Sequence, residues 1–302
     1  TIPSTAGFIQ VPFANYGEAS NQGVDLSLAF NKQLGKDWTI MLQGTFTYAQ
    51  SKIREMDEPL SVVGTNRART GHRINQLFGL VDDGLFTEDD FKADGSLKEG
   101  LPRHTFGPVR PGDIKYKDLN DDGVVDSFDE TAIGGTIDPQ LVYGFGATVK
   151  YRQFDLGFFF QGNGETYRVI GAGKNAFIPG SGDGWGAIYS NYNDRWTPEN
   201  PSQNVFWPRL SRMENKNNAQ SSTWWLRNMS MLRLKNIEVG YSFSKKTLLP
   251  NFIQSARIFI AGSNLLQFSK FKMWDPELDT PNGQCYPCLL YTSPSPRDRT
   301  RS

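Results

Sequence analysis

Apolar and polar residues alternate along several stretches of this chain with a period of two, the spacing that sends every second side chain to one face of a β-strand. From Gly23 to Phe30, Val24, Leu26, Leu28 and Phe30 alternate with Asp25, Ser27 and Ala29. After a polar turn over Asn31–Lys36, Trp38, Ile40, Leu42, Phe46 and Tyr48 share a face opposite Thr39, Gln43, Thr45 and Thr47. The pattern returns at Tyr143, Phe145, Ala147, Val149 and Tyr151, turns at Arg152-Gln153, and runs on through Phe154, Leu156, Phe158 and Phe160. A third group leads from Trp224-Trp225-Leu226 through Met231–Lys235 to Ile237, Val239, Tyr241 and Phe243, and Arg257–Leu266 offers one more strand.

These runs exceed the about 5–6 residues usual for a strand of a soluble sheet. Links of two kinds alternate between them. Asn31–Lys36, Arg152-Gln153 and Lys245–Gln254 are brief, whereas Phe86–Pro139, Gly162–Thr223 and Gln267–Tyr286 are long and polar. Tight turns at one end, long loops at the other and Tyr or Trp at strand ends are the habit of an outer-membrane barrel. The pattern therefore predicts an all-β chain: a partial transmembrane antiparallel β-barrel with long extracellular loops. Following strand directions from the short turns calls for an extra pair, Leu60–Arg69 and Arg73–Asp82, broken near Thr70-Gly71-His72, for roughly eight strands of a larger wall. The rival architecture is a soluble, calcium-dependent, carbohydrate-binding β-sandwich, which requires short loops at both ends and strands near half the length.

Composition agrees with β structure: aromatics are 13% of 302 residues, and 30 Gly and 17 Pro supply turns. No apolar run approaches the roughly 20 residues of a membrane helix. A barrel needs none, because only alternate residues face lipid. Lys plus Arg equals Asp plus Glu at 32 each, so no net field recruits nucleic acid. Gly-x-Ser-x-Gly, His-Glu-x-x-His and phosphate-loop motifs are absent, and nothing in the pattern brings two carboxylates to adjacent strand ends; an enzyme is not expected. His72 and His104 are far apart and read as plain surface or lumen residues, and Arg67, Arg69 and Arg73 as a solvated turn or a lumen lining facing acidic substrate groups.

One segment states its chemistry openly. Asp118, Asn120, Asp122, Asp126 and Asp129 fall at the first, third, fifth, ninth and twelfth places of a loop with Gly123 at the sixth, the spacing of a calcium loop. Asp118, Asn120, Asp122 and Asp129 would give side-chain oxygens, Val124 its carbonyl, and Asp126 a ligand through water. The alternative is a solvated aspartate-rich turn. Trp185, Trp196, Trp207, Trp224 and Trp225 lie on or beside the long Gly162–Thr223 loop; flat indoles either stack on a substrate or a covering protein, or anchor the loop.

Several phrases together resemble the SusC/RagA-type TonB-dependent transporters of Bacteroidetes outer membranes. They are Asn21-x-Gly23-Val24, Gly112-Asp113-Ile114-Lys115-Tyr116-Lys117-Asp118-Leu119-Asn120 with Asp122-Gly123, Tyr143-Gly144-Phe145, Phe154-Asp155-Leu156 with Phe160-Gln161-Gly162, Arg195-Trp196-Thr197-Pro198, Arg233-Leu234-Lys235-Asn236 with Gly240-Tyr241, and Gly262-x-Asn264-Leu265 followed by Asp275-Pro276-Glu277. Their order covers residues 1–287 as the C-terminal part of the family's barrel. The resemblance implies a large plugged barrel in the outer membrane that imports glycans or peptides. It further implies a SusD-like surface lipoprotein as lid, and TonB acting through an N-terminal plug outside this chain.

Residues 288–302 read differently. Cys288-Leu289-Leu290-Tyr291-Thr292-Ser293-Pro294-Ser295-Pro296-Arg297-Asp298 back-translates into a transposase sequencing adapter, so this tail is expected to be library read-through. On that reading the Cys285-x-x-Cys288 pair carries neither redox nor zinc chemistry.

Overall fold

The computed structural model describes residues 16–171, 177–179, 188–213, 215–244, 255–278, 280 and 283. Its strands in chain order are β1 (Glu18–Leu34), β2 (Trp38–Glu55), β3 (Gln76–Gly79), β4 (Asp82–Leu85), β5 (Arg103–His104), β6 (Ile114–Tyr116), β7 (Val124–Val125), β8 (Thr131–Thr136), β9 (Leu141–Tyr151), β10 (Phe154–Gly164), β11 (Tyr167–Val169), β12 (Leu226–Asn228), β13 (Met231–Ser244) and β14 (Ser255–Ser269). Six of them form one antiparallel wall in the order β1-β2-β9-β10-β13-β14.

The register explains the alternation. Leu34, Trp38, Tyr151, Phe154 and Tyr241 pair across five neighbouring strands at the short-turn end. A second row joins Phe30, Leu42, Ala147, Phe158 and Ile237. All belong to one face, which therefore becomes apolar across the whole wall and has nothing packed on it. Val24 is 63% exposed, Ile258 66% and Ile260 80%. The opposite face carries Thr39, Gln43, Thr45, Lys150, Asp155, Gln161, Glu238 and Arg257. From Trp38 to Tyr48 the apolar face runs roughly 33 Å along the strand, which a tilt of roughly 45° reduces to about 23 Å, close to the apolar band of an outer-membrane barrel. An aromatic row closes its lower rim: Trp38 meets Tyr151 at 4.4 Å between ring centres, and Phe154 meets Tyr241 at 4.7 Å.

Keeping that face apolar requires an irregularity in β13. Leu232 and Leu234 point outward at one end and Ile237 and Val239 at the other, a change of parity that a regular strand cannot make. The register slips at Lys235, and Asn264 opposite takes φ +55°, so the outward row resumes beyond the bulge.

Two expectations are corrected. No pair of strands spans Leu60–Arg69 and Arg73–Asp82; β2 is the direct neighbour of β9, with Tyr48 opposite Leu141, so the wall has six strands among the described residues instead of roughly eight. Residues 60–75 lack strand alternation and fold into turns, with only the short β3 following them: the Glu58 carboxylate accepts the N–H groups of Arg69 and Thr70 and the Thr70 hydroxyl. The sandwich is also set aside, because the other described strands form only two-stranded ladders within the loops and no second large sheet faces the wall. The first turn is tighter than expected: pairing continues to Leu34 and Trp38, leaving Gly35-Lys36-Asp37, with Gly35 at φ +65°. The long third group is broken at Met229-Ser230 into β12 and β13.

All the long excursions, 56–140, 165–230 and the segment after Ser269, leave from the same end of the wall. There they pack into a layer of their own. Its core gathers Leu80, Leu85, Ile114, Tyr116, Val125, Ile170, Phe177, Trp196, Trp207, Trp225, Met229 and Phe271, none of them from the six wall strands.

Candidate functional site: the loop layer

The centre of this layer is Asp113, which is fully buried. Arg209 grips it through two parallel bonds, Nε to Oδ1 and Nη2 to Oδ2, both 2.9 Å. Asn215 and Asn218 donate to Oδ1 at 2.8 and 3.0 Å, and the N–H of Arg110 to Oδ2 at 2.8 Å. A buried carboxylate is tolerated only when its lone pairs are met in this way. Next to it, Ile114 exchanges bonds with two side chains of the facing segment: its N–H goes to Asn218 Oδ1 and its carbonyl accepts from Asn217 Nδ2. Asn217 and Asn218 thus stitch two distant excursions together, and no spacing in the sequence announces them.

His104 joins the same network. Asn217 Nδ2 is committed to the Ile114 carbonyl, so Asn217 Oδ1, 2.8 Å from His104 Nδ1, accepts, and His104 carries its proton on Nδ1. Its ring is stacked on Tyr116 and edge-on to Phe86. Burial pulls its pKa below the ordinary value, against the hydrogen bond it donates to Asn217, and the same burial pushes the Tyr116 hydroxyl up. The expectation of a plain surface or lumen histidine is corrected for His104: the apolar rings around it make it a core residue. His72 is half-buried, edge-on to Phe78. Arg67 and Arg69 lie over the rings of Phe128 and Phe78, and Arg73 reaches Glu165 at 4.0 Å.

The acidic loop hangs from this core by a short parallel pair, β5 with β7, in which Val125 is fully buried beside His104. Asp118 accepts the N–H groups of Asp122 and Gly123, Asn120 that of Asp122, and Asp122 that of Val124. Asp126 caps Phe128, and the buried Asp129 accepts from Leu119 and Asp126 at 2.8 Å each. Asp121 at φ +58° and Gly123 at φ +80° make the sharp turn. The side chains of the motif thus crowd one small turn and bond to its own N–H groups; among the described residues no three acidic or histidine groups converge as a ready metal site.

The tryptophans divide. Trp207 and Trp225 are fully buried and Trp196 nearly so, packed with Phe177, Tyr189 and Phe206. They hold the loop, and of the two roles open to them anchoring is the one their burial permits. Trp224 is half-buried, donating to the Phe206 carbonyl. Trp185, Cys285 and residues 288–302 lie outside the described residues. A further knot ties the last excursion to the wall: Arg233 bonds to Asp275 and Glu277, and Lys235 to Glu277 at 3.1 Å.

A single-layer antiparallel wall with a bare apolar face, short turns at one end and packed loops at the other defines a stretch of membrane β-barrel. Comparison with known proteins agrees. The chain is 25% identical over 291 residues to TonB-dependent receptor P26 of Formosa agariphila, an alignment that covers 92% of this chain and 27% of that protein. It is 24% identical over 292 residues to TonB-dependent receptor P3 of the same organism, covering 93% and 27%. Among solved structures, the RagAB peptide transporter superposes with a TM-score of 0.66 at 21% identity, over 91% of this chain and 28% of that one, and the closed-closed state of the RagAB peptide importer with 0.62 at 22%. No family model matches. The resemblance to SusC/RagA-type TonB-dependent transporters is borne out, and the chain spans little more than a quarter of the length of the relatives it matches.

Proposed function

We propose that this chain is part of the wall and outer crown of an outer-membrane importer that takes up oligomeric nutrients, peptides or glycans, with TonB supplying energy through a plug. The carrying observation is the wall itself. Its apolar face is continuous across six strands and open to its surroundings, while the opposite face holds threonines, glutamines and charges suited to a wet interior. In lipid such a sheet satisfies its backbone only when closed, so the wall belongs to a larger barrel. The loop layer, with its own packed core, forms the surface on which a SusD-type lipoprotein lid would sit; the RagAB transporter is the structural neighbour that supports this. Calcium in the Asp118–Asp129 loop is part of the same reading, supported by the spacing. Binding requires Asp118 and Asp122 to turn oxygens from backbone N–H groups to the ion.

The test is fractionation and uptake. A full-length protein carrying this chain should partition with the outer membrane, need detergent for extraction, and lose uptake when TonB is deleted; extraction as a water-soluble monomer would sink the proposal.

A further inference from the structure

A cavity of about 560 Å³ opens at the loop end of β13 and β14. It lies between β12, the residues that directly follow β14, and the stretch around Tyr189. Three cations line it: Arg227, Lys270 and Lys272. The rest of its wall is mixed: Phe206, Leu226, Phe271 and Met273 are apolar, and Tyr189, Ser190, Asn191 and Asn228 are neutral and polar.

Arg209 and Arg233 each face a carboxylate. Arg227 does not: its Nη1 donates to the carbonyls of Trp224 and Leu226 at 2.8 and 2.9 Å, and its guanidinium carbon lies 4.9 Å from the centre of the Phe206 ring. These contacts fix the plane of the group and leave Nε and Nη2 without a hydrogen bond among the described residues. That is the same edge with which Arg209 holds Asp113. Lys270 and Lys272 have no carboxylate partner among the described residues either. Burial pulls the Arg227 pKa down, with Asp82 opposing, so the charge is held at a cost that a bound anion would offset.

We propose that this cavity binds the C-terminal residue of a peptide. The α-carboxylate meets the free edge of Arg227 together with Lys270 and Lys272, and an apolar side chain lies against Leu226, Phe271 and Met273. A planar carboxylate suits a guanidinium edge, and an apolar floor beside it suits an amino-acid side chain. Ser190, Asn191 and Asn228 in the same lining suit the amide groups next to a peptide's C-terminus, and a sugar acid would leave the apolar floor of Leu226, Phe271 and Met273 unused. The assignment rests on the import reading and names the substrate class within it.

The test uses full-length protein in detergent, titrated with three probes: the tripeptide Ala-Ala-Phe with a free carboxylate, its C-terminal amide, and trigalacturonate. The free acid should bind at least tenfold more tightly than the amide. Lys270→Ala with Lys272→Ala, both at exposed positions, should remove most of that difference, and Arg227→Lys should weaken the acid more than the amide. Equal binding of acid and amide, no binding of the acid, or an unchanged difference in the double variant would overturn the site. Tighter binding of trigalacturonate, lost in the same variants, would overturn the peptide assignment. Peptide uptake that persists undiminished in the double variant overturns this site and leaves the importer standing, whereas absence from the outer membrane overturns the importer itself.

Discussion

The α-carbon of Gly112 stands against the indole of Trp196: a β-carbon at that position would lie 2.3 Å from the ring, and the backbone there has φ +86°. Two excursions far apart in sequence therefore touch where only glycine fits. The contact also sets the neighbouring Asp113 beside Arg209, whose own N–H returns to the Gly112 carbonyl at 2.7 Å.

Gly112→Ala is expected to cost about 2–5 kcal/mol of loop-layer stability, from left-handed strain and overpacking together. Limited proteolysis of the full-length protein should show the excursions cut much faster, with the wall strands still protected. Unchanged cutting would mean the layer is looser than its contacts indicate.

Asp113→Asn leaves a largely buried Arg209 without its partner, a loss of about 3–5 kcal/mol where both charges are out of water. Replacing both, Asp113→Asn with Arg209→Met, should recover part of it. A double-mutant cycle in melting temperature gives the coupling, and additive effects would remove the ion pair from the account.

His104 gives the layer a pH dependence of known sign. Its folded pKa lies below the ordinary 6.5, because burial disfavours the imidazolium. Below that value the unfolded chain takes up a proton that the folded one refuses. The stability it contributes is therefore complete above about pH 6.5, falls as pH drops through that value, and levels off below the folded pKa. His104→Leu should flatten the melting curve against pH between about 7 and 5 while lowering it at neutral pH, since Asn217 loses its donor. A slope equal to that of the native protein would assign the effect to other groups.

Asp118→Asn with Asp122→Asn should abolish calcium-dependent protection of Gly112–Asp129 from protease. Protection that is the same with and without a chelator in the native protein retires the metal and leaves a turn held by its own hydrogen bonds.

On the wall, Leu42→Arg places a charge on the bare face midway between Trp38 and Tyr48 and should cost about 2–4 kcal/mol, whereas Gln43→Arg, on the other face, should be tolerated. Yield of heat-modifiable, folded barrel in the outer membrane reads the difference, and equal yields would contradict the lipid-facing assignment.

Much of the wall was legible because period-two alternation is a local signal, and Val24 to Phe30 or Tyr143 to Tyr151 carry it undisturbed. The phrases behind the family resemblance prove to meet in space: Gly112-Asp113 against Trp196, and Arg233 and Lys235 against Asp275 and Glu277. Where alternation fails, so did the reading. The stretch from Leu60 to Arg73 has apolar residues without period, and it turns through successive backbone bonds onto Pro59, Val62, Thr65 and Arg69, with Glu58 taking up Arg69 and Thr70. Asn217, Asn218 and Arg227 were invisible, because their roles depend on partners about 100 residues away or on a cavity that no single stretch encodes.

Since the packed interior sits wholly among the excursions, strand and crown answer to different solvents. Agents that dissolve lipid should slacken the staves while the cap above them keeps its shape, and urea should do the reverse. A protein of this build should melt in two steps, each half answering to the medium around it.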